Sequence, residues 1–132
     1  MRVLGVFLLI NLFFSCENTS FPIDIYSRTV GFSLDKPTLI INPDNCSACF
    51  NEFASSVRKF QDKGFNVVII SKERKKANLM VNLDSSNVYY DSGDLSFELK
   101  ILHSLPRIYF CDHPVIEVVS PFIIEGYINE SN

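Results

Sequence analysis

Residues 38–42 (TLIIN) and 65–71 (FNVVIIS) are short apolar runs with almost no polar interruption. Such runs are expected of strands covered on both faces. Between them Phe50, Phe53, Ala54, Val57 and Phe60 fall at helical spacing, and Gly64 stands where a helix C-terminus favours glycine. A strand, a helix and a strand in that order make a parallel βαβ unit, which constrains the chain to the α/β class.

The rest of the chain extends this unit. Residues 72–83 (KERKKANLMVNL) turn from polar to apolar and read as a helix, and 87–91 (NVYYD) as a short strand. Gly93 and Asp94 open an amphipathic stretch carrying Leu95, Leu99 and Leu102. RIYFCD and VIEVVSPF flank Asp112-His113-Pro114, the pattern of a hairpin. Upstream, Ile23, Ile25 and Tyr26, then Val30 and Phe32, suggest a short hairpin or edge strand, where Pro22 is tolerable. The expected fold is a mixed central sheet between helical layers. Only the segment IIEGYINESN follows the hairpin, too little for a long C-terminal helix.

Cys46 and Cys49 stand where the first strand gives way to the helix. With Asp44 or Asn45 as cap, the unpaired N–H groups of the first turn and the helix dipole favour the thiolate at Cys46. Cys49, three residues on, is one turn away and within reach of the first sulfur. One thiolate can then attack a disulfide and the other release the mixed disulfide. The intervening Ser47 and Ala48 add no charge to tune the pair.

A buried strand leading into C-x-x-C at a helix start, together with the later HSLPRIYF, resembles the thioredoxin-like superfamily over roughly residues 36–120. Within it the chain especially resembles envelope-anchored disulfide reductases related to the cytochrome-maturation thioredoxins. The resemblance implies a three-layer fold and thiol–disulfide exchange with protein partners, without a cofactor. In the family a proline before a strand is cis and offers backbone to substrate; Leu105 and Pro106 fill that place. The chain departs from the pattern in having no Trp or Pro in the motif. It also carries Ile40 where many relatives keep a buried acid.

The N-terminus carries a separate signal. Arg2 precedes an apolar run, Val3 to Phe14, broken only by Asn11, and Ser15 sits before Cys16. This resembles a bacterial lipoprotein leader, shorter than the ~18 residues of a membrane span. It implies cleavage after residue 15, a lipid on Cys16, a tether over 16–35 and a domain over 36–132. The implied location is the cell envelope, lipid-anchored and facing the periplasm. Loss of Arg2 with the leader takes the formal net charge from −3 to −4. That acidity argues against nucleic acid as a partner, and KERKK reads as a solvated helix start.

Other chemistries are weaker. Copper(I) or zinc can be held by Cys46, Cys49 and either His103 or His113, since thiolate and imidazole suit both ions. The strong zinc signature, a second C-x-x-C, is absent, so no metal ligand is assigned. A structural disulfide or a non-catalytic interaction domain also stays open. Cys111 lies on an expected core strand, where a free thiol acts as a small apolar group. The residue three before Cys46 is Pro43, where peroxiredoxins require Thr or Ser, and no glycine-rich phosphate loop occurs.

Overall fold

The computed structural model describes residues 21–45, 47–101 and 103–132. Strands β1 (Thr38–Ile41) and β2 (Asn66–Ile70) are buried along their whole length. Alternation explains their continuous apolar character. Leu39, Ile41, Val67 and Ile69 enter one core, and Ile40, Val68 and Ile70 enter the other.

Five strands form a mixed sheet in the order β3-β2-β1-β4-β5. β1 and β2 run parallel in register Ile40↔Val68, and β2 pairs parallel with β3 (Val88–Asp91). β4 (Arg107–Tyr109) is antiparallel to β1, with Thr38↔Tyr109 and Ile40↔Arg107, and β5 (Ile116–Glu117) pairs antiparallel with β4. The expected hairpin around Asp112-His113-Pro114 is therefore present.

One face is covered by α2 (Ser47–Asp62), α3 (Arg74–Met80) and α5 (Pro121–Glu130). Their core contributions are Phe53, Val57 and Phe60, then Ala77 and Met80, then Ile124. The other face is covered by α1 (Phe21–Val30) and α4 (Asp94–Glu98), through Ile23, Tyr26 and Leu95, with Leu99 just past the end of α4. The result is a three-layer α/β domain, compatible with a thioredoxin-like fold. Its closing helix is short, as expected from the few residues after the hairpin. Even so it covers its face, because Ile124 is fully buried and Lys59 of α2 pairs with Glu125 at 2.9 Å. Among the described residues no helix is long and apolar enough to cross a membrane.

The expected N-terminal hairpin is corrected. Residues 21–30 are helical, and the buried positions Ile23 and Tyr26, with Val30 packed against them, follow i, i+3, i+7. Pro22 lies in the first turn, where no intrahelical N–H is needed. The helix is fixed by a long-range bond that local pattern cannot reveal: the Tyr26 hydroxyl donates to Asp91 Oδ2 at 2.8 Å. Burial, and then the Asp91 charge, push the Tyr26 hydroxyl well above the usual tyrosine range. It is therefore a permanent donor to that carboxylate.

Candidate functional site

β1 ends at Ile41, and the chain leaves the sheet through Asn42 into a single 3-10 turn, Pro43–Asn45, before α2 begins at Ser47. The turn is braced from two sides. Asn42 Oδ1 accepts the Asp44 N–H at 3.0 Å. Asp44 Oδ1 accepts the Ser71 hydroxyl at 2.9 Å and Oδ2 accepts the Lys72 N–H at 2.8 Å. Lys76 of α3 adds an ion pair at 3.2 Å.

Burial works against ionisation of Asp44, but the Lys72 amide, the Ser71 hydroxyl and Lys76 outweigh it and hold its carboxyl below the usual range. Asp44 thus ties the exit of β1 to the β2–α3 connection. Both carboxylate oxygens are engaged there, which removes Asp44 as the expected cap of α2.

Cys49 lies in the first turn of α2, as the sequence implies; its side chain, and all of Cys46 and Cys16, are outside the described residues. Leu102, expected in the α4 stretch, is outside them as well. The antiparallel register brings Leu105 and Pro106 to the same end of the sheet as the β1–α2 turn. Ile40 faces Arg107, so the residues before Arg107 lie alongside the exit of β1.

Pro106 is buried, and its carbonyl accepts the Val118 N–H at 2.8 Å. Its peptide bond is trans, a correction to the expected cis form. An X–Pro bond is trans by default, and no local feature of the sequence demands otherwise.

The two histidines are separated. His113 belongs to the β4–β5 turn, stacked on Phe110 with ring centroids 4.6 Å apart. That turn lies at the end where β1 enters the sheet, opposite the 46–49 segment. His103 lies at the near end and lines a small cavity with Asn42, Leu105 and Arg107. Burial first, then the Arg107 charge, lower its pKa and keep the ring neutral at pH 7, with Glu117 opposing. Arg107 Nε is buried with no hydrogen-bond partner among the described residues. No group of three or more His, Cys, Asp or Glu suited to a metal occurs among those residues either.

Cys111 departs from its expected role. β4 stops at Tyr109, the Cys111 N–H donates to Leu34 O at 3.1 Å, and the residue is half-exposed and disulfide-bonded. The sulfur bonded to it is outside the described side chains. The ladder ends before Cys111, because the partner strand begins only at Thr38.

A larger cleft, about 730 Å³, opens beyond the carboxyl ends of β1, β2 and β3. It shares Asn42 and Ile70 with the His103 cavity, and its rim includes Asp44, Lys72, Asp94, Phe97 and Glu98. Open α/β sheets commonly bind ligands at this edge, where strand ends leave a crevice between connections. Sequence reasoning missed this rim. The only advance signal was the amphipathic stretch after Gly93, in which Phe97 falls off the apolar line. No family model matches the chain, and no curated protein matches it.

Proposed function

We propose that the chain exchanges thiols and disulfides with protein partners through Cys46 and Cys49. The supporting observation is the junction itself: a fully buried strand, a braced 3-10 turn and a helix whose first turn contains Cys49. Leu105 and Pro106 lie beside it. In this reading the Cys46 thiolate attacks a partner disulfide, forms a mixed disulfide and expels one partner thiolate. The Cys49 thiolate then attacks the Cys46 sulfur, which closes the 46–49 disulfide and releases the second partner thiol. Two electrons pass from the cysteine pair to the partner. Leu105 and Pro106 are the proposed contact for substrate backbone. Lipid attachment at Cys16 holds the domain at the envelope membrane.

Cys46→Ser is expected to abolish reduction of insulin disulfides, and Cys49→Ser to accumulate a mixed disulfide visible on non-reducing gels. A wild-type protein that leaves insulin intact, or variants that match it, ends the enzymatic reading. Peptide mapping without reductant tests the anchor at the same time. A thioether at Cys16 cannot coexist with a Cys16–Cys111 disulfide, so finding that disulfide overturns lipidation.

Metal binding is a second reading, now narrowed by geometry. His113 is at the wrong end of the sheet, so His103 is the histidine that can join the cysteines. Copper or zinc lost equally on His103→Ala and Cys46→Ser would favour it over exchange.

A further inference from the structure

Asp94, Phe97 and Glu98 occupy positions i, i+3 and i+4 of α4, so one helical face presents all three. That face is a wall of the cleft at the carboxyl ends of β1–β3. Phe97 is 76% exposed, unusual for a phenylalanine whose neighbours Leu95 and Leu99 pack against the core. The two carboxylates beside it are exposed, and neither enters a salt bridge among the described residues. The third carboxylate of the rim, Asp44, is already bound to Lys76. Lys72 is the single cation lining the cleft among the described residues.

An aromatic ring on the same cleft wall as two unpaired carboxylates suits a long cationic side chain. The alkyl stem covers the ring, the charge meets the ring face, and the head reaches a neighbouring acid. The cleft also abuts the β1–α2 turn, through Asn42 and Asp44, so a segment lying in it ends next to the 46–49 motif.

We propose that this cleft docks a Lys- or Arg-bearing segment of the partner protein whose disulfide is exchanged. The partner's disulfide rests on the exchange reading above. The positive charge of its segment rests on the cleft alone, and the experiment separates the two.

The probes are two fluorescein-labelled peptides of equal length and apolar content, one carrying arginines and the other glutamates, both free of cysteine. Fluorescence anisotropy at low ionic strength is expected to show the arginine peptide binding about tenfold more tightly, as two unscreened carboxylate contacts allow. The double substitution Asp94→Asn with Glu98→Gln is expected to bring the two peptides within about twofold, and salt near 0.5 M to do the same in the wild type. Phe97→Ala is expected to weaken the arginine peptide without changing thermal unfolding, since the ring is mostly in solvent.

Equal affinity for both peptides, absence of binding, or an arginine preference that survives the double substitution overturns the proposal. The same peptides carrying a disulfide report on chemistry. Docking without disulfide reduction removes the exchange reading and leaves the cleft assignment standing. Equal reduction of both peptides removes the cleft assignment and leaves exchange standing.

Discussion

The two ends of the parallel strands are built on opposite principles. Where β1, β2 and β3 enter the sheet, polar groups are turned inward and satisfied. Asn66 Nδ2 donates to Ser33 O at 2.9 Å, and Asn87 Nδ2 donates to Gln61 O and Phe65 O at 2.9 and 2.7 Å. Phe60 closes that end with Phe65 and Tyr127, ring centroids 5.1 and 6.1 Å away. Where the strands leave the sheet, the chain opens a cleft instead, rimmed by charges and an exposed ring. Stitched polar groups rigidify one end, while the other holds its turn through the Asn42 and Asp44 side chains and leaves a cleft open beside it.

The comparison can be broken at the closed end first. Phe60→Ala is expected to cost about 3–5 kcal/mol, because a fully buried ring leaves a cavity among helix and strand side chains. Urea unfolding reads this; a loss under about 1 kcal/mol would mean that this end is not sealed by packing. Asn87→Ala comes next, at about 1–3 kcal/mol, since the Phe65 and Gln61 carbonyls each lose the Asn87 amide, although the Gly64 N–H still reaches Gln61 O. Insulin reduction should be unaffected, and a fall in it would show that the two ends are coupled.

Asp44→Asn tests the open end and has the smallest effect, about 1 kcal/mol at pH 7, because the carboxylate is partly exposed and its pair with Lys76 is screened. Its carboxyl is held below the unfolded value. The stabilisation is therefore full above the unfolded pKa of about 4 and disappears as pH falls through the folded value. The difference between wild type and variant should shrink in urea melts as pH drops below about 4. A gap that stays constant to the lowest pH would remove the charge as its cause.

Several features were legible because local chemistry decides them. Gly64 ends α2 with φ +91, a backbone that favours glycine, and the hairpin and β3 fall where turn residues and apolar runs place them. Others were not. The residues of α1 satisfy a strand pattern at Ile23 and Ile25 as well as a helical one at Ile23, Tyr26 and Val30, and only packing against the sheet chooses between them. Asp44 was one of two candidate caps for α2, yet it serves the β2–α3 connection 27 residues away. Phe97 stood off the apolar line of its stretch, but how far it is exposed depends on how the five residues of α4 are seated.

The sequence by itself determined the βαβ core, the sites of its turns and the position of Cys46 and Cys49 after the first buried strand. Those depend on side-chain period and on backbone preferences acting over a few residues. Only the tertiary structure decided which partner Asp44 takes, that Tyr26 locks a helix onto Asp91, that His103 and not His113 shares an end with the motif, and that a cleft opens beside it. Each of these joins residues far apart in sequence, and the strand order that brings them together is fixed by burial on both faces of the sheet at once.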